Sequence, residues 1–552
     1  MSTDGSDWWR SAVIYQIYPR SFQDSNGDGI GDLRGVLSRL DHVVELGVDA
    51  IWLSPFFRSP MKDFGYDISD YCAVDPIFGT LEDFRELLAA CHRAGVRVLI
   101  DQVWNHTSDQ HPWFRESRRD RHNPRADWYV WADPGPDGGP PNNWQATFGG
   151  SAWEWEPRRQ QYYLHNFLAD QPDLNWYNEA VVAAILDCAR FWLDLGVDGF
   201  RLDVINFLTH DRQLRDNPLR PAEAPRPAGA AADDPYFRYI NRYNLCRDST
   251  LDLLPRIRDL LDRYSAVALV EISCAEDALA ASSDYVRGSE RLHMAYNASL
   301  ITEEALSGAR VDALIRRVEA LFDDGVLCWT GGTHDFPRLS SRWRRHRPPD
   351  PFLHDAFDHL FAALLVTLRG SCCIYQGDEL GLTQAEIPRE LLRDPFGIHG
   401  YPKVPGRDGS RTPMPWDADA PGCGFSSADA PWLPISAEHR TQAVARQERD
   451  PQSLLNKYRR LVHWRREQPA LRAGRLQPLE FPGELSGFLR EHPQQRLLCL
   501  FNFGLDALYA SLEAFPGCEP VAGLGFAERD YRGTVELPPY GVFLAELPPA
   551  GG

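Results

Sequence analysis

One phrase recurs three times in this chain: an amphipathic stretch ends in glycine and runs straight into a valine-led apolar segment. The copies are ELGVDAIWLSP (45–55), RAGVRVLIDQV (93–103) and DLGVDGFRLDV (194–204). Before the first, Val36, Leu37, Leu40, Val43 and Val44 follow helical spacing. Before the second, Leu81, Phe84, Leu87, Leu88 and Cys91 do the same, with Thr80 as N-cap. Glycine supplies the left-handed turn that ends a helix. The short continuous apolar run that follows reads as a strand buried on both faces, the mark of a parallel sheet. Further runs at 13–18, 266–272, 292–296, 326–329 and 372–375 bring the strands to eight, each followed by a helical stretch. The economical fold is α/β, a (β/α)8 TIM barrel.

Two long segments interrupt this pattern. Residues 105–176 are rich in Trp, Pro, Asn and Gly (PPNNWQATFGGSAWEWEP), too long for a plain loop and too aromatic for disorder. They are expected to form a domain inserted after strand three. Residues of about 381–430 form a Pro/Gly-rich insertion after strand eight. From 476 to 552, short alternating runs such as RLLCLFNF and GTVELPPYGVFLAEL predict an all-β C-terminal domain. That leaves 1–104 and 177–475 for the barrel.

Charge narrows the ligand. With 58 Lys+Arg against 78 Asp+Glu the net charge is −20, which disfavours nucleic acid and anionic membrane surfaces but not a neutral, hydroxyl-rich molecule. The first residues show neither a basic n-region nor an apolar h-region, and no run approaches ~20 apolar residues. Eleven cysteines are scattered without a C-x-x-C, mostly in apolar runs such as that of Cys499. They read as free thiols in a reducing compartment. A cytoplasmic monomer or homodimer is expected.

Chemistry-bearing residues gather at the expected strand ends. DQVWNH gives Asp101, Asn105 and His106; GFRLDV gives Arg201 and Asp203; ALVEI gives Glu271; THDFPR gives His334, Asp335 and Arg338. A lone acid after a strand is ordinarily a helix cap, and a lone R-x-D a routine ion pair. Four such clusters in barrel order point instead to one site. Arg201 and Asp203, two apart on a strand, share a face, so the guanidinium is expected to hold the carboxylate ionised and oriented. Strands four and five are neighbours ~4.8 Å apart. Carboxyls at their tips then stand about 5 Å apart, the spacing of retaining rather than inverting glycoside hydrolysis.

The loop DSNGDGIGD offers oxygens from Asp24, Asn26, Asp28, the Ile30 carbonyl and Asp32. This alternation with a central glycine matches the first part of an EF-hand loop, without its closing glutamate. A structural Ca²⁺ or Mg²⁺ remote from any reacting bond is expected, the plain alternative being a hydrated Asx-rich turn. No organic cofactor is expected.

These clusters resemble the conserved regions of the α-amylase family of glycoside hydrolases (family 13) over nearly the whole chain. WWRSAVIYQIYPRSFQDSNGDGIGDLRG, GYDISDY, QPDLNW and RDGSRTPMPW are most similar to the exo-acting bacterial α-glucosidases and oligo-1,6-glucosidases. The resemblance implies Asp203 as nucleophile, Glu271 as general acid/base and Asp335 as transition-state stabiliser, with Arg201, His106 and His334 around the same sugar. It further implies an ion pair from Asp63 to an arginine that closes the glucose site and holds the 4-hydroxyl. Arg407 is the candidate partner, and Arg411 fits the motif locally as well. Tyr66 would stack on the sugar, with Phe148 and Phe167 as further walls. Val204 matches isomaltose-cleaving relatives. Two positions depart from the family pattern: Val270 stands where glycine is usual, and Thr333 replaces the asparagine of Asn-His-Asp. The implied activity is release of α-glucose from the non-reducing end of maltose, isomaltose or sucrose-type substrates through a covalent intermediate. The same residues would serve an α-glucosyl transferase or a disaccharide isomerase. Related barrels that act as transporter accessory subunits carry a membrane helix and lack the acids, the reverse of this chain.

Overall fold

The computed structural model describes residues 7–226, 234–301, 306–344, 350–404, 406–526 and 533–548. Eight strands, β1 (Val13–Ile17), β2 (Ala50–Leu53), β3 (Arg97–Val103), β4 (Gly199–Asp203), β5 (Val267–Glu271), β6 (Met294–Tyr296), β7 (Val326–Thr330) and β8 (Ser371–Tyr375), close into a barrel in chain order. Every neighbouring pair is parallel. Apart from Arg97, every residue of these strands is buried, as strands covered by helices outside and by packed side chains inside must be. The interior packs Ile14, Trp52, Leu99, Leu269, Met294 and Cys328 around Trp9.

The recurring glycines do what the phrase requires. Gly47 (φ 82°) and Gly196 (φ 99°) cap helices Leu40–Leu46 and Glu179–Leu195 in the left-handed conformation, and Gly95 (φ 75°) follows helix Leu81–Arg93. Thr80 and Asp83 form a capping box at the start of that last helix. The first expected helix is broken at Arg39 into Leu33–Ser38 and Leu40–Leu46. Arg39 leaves helical geometry to donate to Gln23 Oε1 at 2.7 Å and to lie 4.6 Å over the Trp416 ring. Val44, expected inside, is 36% exposed.

After β3 the chain builds a three-stranded antiparallel sheet, ordered Trp131–Ala132, Gln161–Leu164, Trp153–Glu156, around Trp144 and Trp153. The C-terminal region forms a five-stranded antiparallel sheet from Arg475–Pro478, Leu485–His492, Gln495–Asn502, Val542–Leu547 and Glu519–Pro520. A third excursion, between β4 and helix Leu254–Arg263, was not among the interruptions expected. Its Pro- and Arg-rich stretch LRPAEAPRP has no apolar periodicity to announce it. Among the described residues, no helix is long and apolar enough to cross a membrane, and all eleven cysteines are free thiols.

Candidate active site

The site lies at the C-terminal ends of the strands, where a barrel presents its loops. Leu202 pairs with Val270 across β4 and β5, so the next residues, Asp203 and Glu271, come side by side at the rim. Arg201, one face-repeat before Asp203, is fully buried beneath them. Its Nη1 donates to Asp203 Oδ1 at 2.5 Å and to both oxygens of Asp101 at 2.8 and 3.1 Å, while Nη2 donates to Glu271 Oε2 at 2.5 Å. The Tyr296 hydroxyl accepts from Arg201 Nε at 3.0 Å, and the guanidinium lies 4.8 Å from the Trp52 ring centre.

One guanidinium thus faces three buried carboxyls. Burial pushes Asp101, Asp203 and Glu271 all upward from the ordinary carboxylate range, against the attraction of Arg201. For Asp203 this runs against the expected hold of Arg201, because burial outweighs the guanidinium's attraction and the neighbouring Glu271 and Asp101 add to the upward push. The three titrate as one set, and the set retains a proton into higher pH than an exposed acid would. Asp335 goes the other way. Burial would raise it, but His334, Arg411 and Arg407 together hold it well below the usual range.

His334 is fully buried. Its ring stacks between Tyr18 (5.5 Å) and Tyr66 (5.4 Å, 9° between planes), and its Nε2 stands 2.6 Å from the Tyr66 hydroxyl. Thr333, in place of the family's asparagine, accepts from the Asp335 main-chain N–H at 3.1 Å and so shapes the turn that presents this acid. Val270 packs outward into the barrel–helix core rather than toward the site. Val204 has φ 35°, a costly conformation for a β-branched residue, and its N–H points to Glu271 Oε2 at 3.3 Å.

A cavity of about 210 Å³ opens above the three acids, and Asp63, Tyr66, His106, Phe148, Phe167, Asp203, Glu271, Asp335 and Arg407 all line it. Arg201 and His334 have no exposed surface and stand behind its wall. Arg407, not Arg411, reaches Asp63, at 2.7 Å. Arg411 instead bonds the His334 carbonyl at 2.8 Å and Asp335 Oδ1 at 2.9 Å. Two partners at this end escaped the sequence reading. Asp394 accepts from Arg407 Nη2 at 2.7 Å and from its main-chain N–H at 2.6 Å, and its carboxyl is held down at about 2 by Arg407 and Arg411 in spite of burial. Gln171 donates to Asp63 Oδ2 at 3.1 Å and lies 3.1 Å from His106 Nε2. It sits within the quoted QPDLNW, whereas Asp394 carries no local signal. Burial pushes His106 down to about 3, so it is neutral. Phe148 meets Phe167 at 6.0 Å and Phe396 at 5.5 Å.

The 24–32 loop, none of whose residues lines this cavity, is knitted by its own acids. Asp24 accepts main-chain N–H bonds from Asn26, Gly27 and Gly29 and a hydroxyl bond from Ser426 at 2.5 Å. Asn26 and Asp28 accept from Asp28 and Ile30 N–H groups at 2.9 and 2.8 Å, and Asp32 caps helix Leu33–Ser38. These bonds hold the Asp24 carboxyl below its ordinary range although burial opposes them. The set is all-oxygen and includes this acid, which fits a hard cation. Among the described residues no group of three or more His, Cys, Asp or Glu side chains converges as a metal cluster.

Residues 16–474 match the family described as alpha amylase, catalytic domain. The chain is 51% identical over 542 residues to a Rhizobium meliloti (strain 1021) protein named "Probable alpha-glucosidase", covering 98% of this chain and 97% of that one. It is 35% identical over 534 residues to an oligo-1,6-glucosidase of Heyndrickxia coagulans, covering 90% and 92%. The crystal structure of an alpha-glucosyl transfer enzyme superposes with a TM-score of 0.94 at 50% identity, covering 98% of this chain and 100% of that one.

Proposed function

The chain belongs to the α-amylase family of glycoside hydrolases, and from that premise we propose that it is an exo-acting, retaining α-glucosidase that frees α-glucose from the non-reducing end of short α-glucosides. One observation carries this reading: Asp203 and Glu271 stand side by side over Arg201 in a cavity that also holds the Asp63–Arg407 ion pair.

In the reactive form the proton of the coupled set sits on Glu271 and Asp203 is the anion. Glu271 gives its proton to the glycosidic oxygen while Asp203 attacks the anomeric carbon, so the aglycone leaves as an alcohol and a β-glucosyl ester forms. Glu271, now a carboxylate, takes a proton from water as that water opens the ester. Two inversions return α-glucose. Asp335, held ionised by Arg411 and Arg407, accepts hydrogen bonds from sugar hydroxyls that strengthen as charge develops at the ring. Asp63 and Arg407 hold the terminal 4-hydroxyl, with Tyr66, His106, Phe148 and Phe167 around the same glucose. An alcohol that reaches the ester before water gives transfer or disaccharide isomerisation with the same groups.

Chromatography of products from maltose, isomaltose, sucrose and trehalose, at low and high concentration, tests this. Glucose is the expected first product at low concentration, with activity on both α-1,4 and α-1,6 disaccharides; longer or rearranged sugars at high concentration measure transfer. Rapid internal cleavage of amylose into long fragments would overturn the exo reading, because a closed glucose site cannot take chain on both sides of the bond. For the 24–32 loop the reading is a structural Ca²⁺ or Mg²⁺ held by Asp24, Asn26, Asp28, the Ile30 carbonyl and Asp32, supplying loop stability and no step of the reaction. The free thiols support a cytoplasmic setting.

A further inference from the structure

The acid that protonates a departing alcohol stands on that alcohol's side of the bond. The residues just after Glu271, among them Ser273, Cys274 and Ala275, therefore flank the leaving group, and they line the cavity together with Tyr236 and Phe237 from the excursion after β4. Neither segment belongs to a barrel strand, so something else must fix one against the other.

Arg220 spans them. Its Nη1 donates to Glu276 Oε2 at 2.9 Å and its Nη2 to Glu276 Oε1 at 2.5 Å, a paired, parallel contact. The same guanidinium donates to the carbonyls of Phe237 (2.9 Å, from Nε), Pro225 (2.9 Å) and Tyr239 (3.4 Å). Its own backbone is locked to the opposite arm by Arg220 N–H to Arg238 O at 3.0 Å and Ile240 N–H to Pro218 O at 2.9 Å. The Arg220 side chain is only 6% exposed, against 37% for Glu276. A surface ion pair contributes little; this one spends its donors on both cavity walls at once.

We propose that Arg220 and Glu276 form a positioning latch that sets the leaving-group and acceptor side of the cavity, holding Tyr236 and Phe237 against the segment that follows Glu271. Neither residue lines the cavity. The latch acts through the wall and governs which leaving groups and acceptors are handled, while the Asp63–Arg407 end is indifferent to it. The inference rests on the α-glucosidase reading above.

Glu276→Gln keeps the shape and removes the charge; Arg220→Lys keeps the charge and removes the fork; Glu276→Asp is the conservative rescue. For each, kcat and KM are measured on maltose, isomaltose and 4-nitrophenyl α-glucoside, and binding of the glucose-shaped iminosugar 1-deoxynojirimycin is measured by calorimetry. The expected result for Glu276→Gln and Arg220→Lys is a fall of about tenfold in kcat/KM for the disaccharides, mainly through KM, with the ratios among the three substrates changed by about threefold or more. Iminosugar affinity stays within about twofold, and Glu276→Asp recovers part of the loss. Equal losses on all three substrates, a matching loss of iminosugar binding, or no change at all would each overturn the latch. A wild-type chain that frees no glucose from any of the three overturns the α-glucosidase reading itself, and the latch's role with it, so the two failures are told apart.

Discussion

The charged groups beneath the cavity and the loops along its wall are held by opposite means. Arg201, Asp101, Asp203 and Glu271 are carried on strands β3, β4 and β5, whose register leaves them no freedom, and their charges are buried. Tyr236 and Phe237 ride on a loop tied to the segment after Glu271 by an ion pair whose acid is 37% exposed. Strand-borne groups can store the cost of three acids sharing one guanidinium, because a packed barrel cannot relax to relieve it. Loop-borne groups are cheaper to rearrange. The nucleophile and the acid therefore belong to the strands, while the loops carry Asp335 and the choice of leaving group.

The largest expected effect strikes the strand-borne set. Asp203→Asn and Glu271→Gln should each lower kcat at least about 10³-fold with melting temperature and circular dichroism little changed. Near-wild-type turnover in either folded variant removes the reaction scheme. Proton NMR on the wild type should show α-glucose before mutarotation; β-glucose first would mean inversion.

Next comes the closed end. Asp63→Ala removes a charged contact to the terminal sugar and should cost about 2–3 kcal/mol in kcat/KM. The fold should survive because Arg407 keeps Asp394 as a partner at 2.7 Å. Arg407→Ala strips the charge partner from both buried acids at once and should destabilise the protein by about 3–5 kcal/mol. Equal melting temperatures for the two variants would contradict this division.

How much could be read beforehand follows the same line. The strands announced themselves through the glycine–valine phrase, and Arg201 with Asp203 through their spacing of two, because both signals are local. The far partners were not local. Asp394 sits in an insertion with no periodic pattern, and Arg220 and Glu276 are 56 residues apart, so no window contains both. The upward push on Asp203 has a related origin: the motif shows Arg201 beside Asp203 but neither the burial of the pair nor the Asp101 and Glu271 carboxyls that face the same charge. The break at Arg39 came from a tertiary contact to Trp416 that helical spacing cannot register.

The 24–32 loop sharpens the contrast, being a loop rich in acids of which none lines the cavity. If it holds a cation, exhaustive chelation should lower the melting temperature by several degrees while activity at moderate temperature stays within about twofold. Elemental analysis without a divalent ion, and a chelator that moves neither quantity, would leave a hydrogen-bonded turn.

The last test concerns Asp173, where the inserted segment meets the barrel. Its carboxyl is fully enclosed and accepts from the Asn166 main-chain N–H at 3.0 Å, Asn166 Nδ2 at 2.5 Å and Asn105 Nδ2 at 3.1 Å. Burial outweighs these bonds and raises it from 3.8 to about 7. A folded-state value above the unfolded one means that the native protein holds this proton more tightly. The resulting stabilisation is complete below the unfolded value, declines as pH rises, and is gone above about 7. The slope is at most ~1.4 kcal/mol per pH unit for one group. Asp378, also raised to about 7 by burial, adds a parallel slope just past the end of β8. Asp173→Asn should therefore cost stability at pH 5, where the wild-type carboxyl is protonated, and lose less relative to wild type at pH 8, with the Asp378 slope remaining in both proteins. Denaturant midpoints across pH 5–8 measure this directly. A constant gap between the curves would mean that Asp173 stays ionised in the native state, its three donors overcoming burial after all, and that this joint is held by charge as the strand-borne site is.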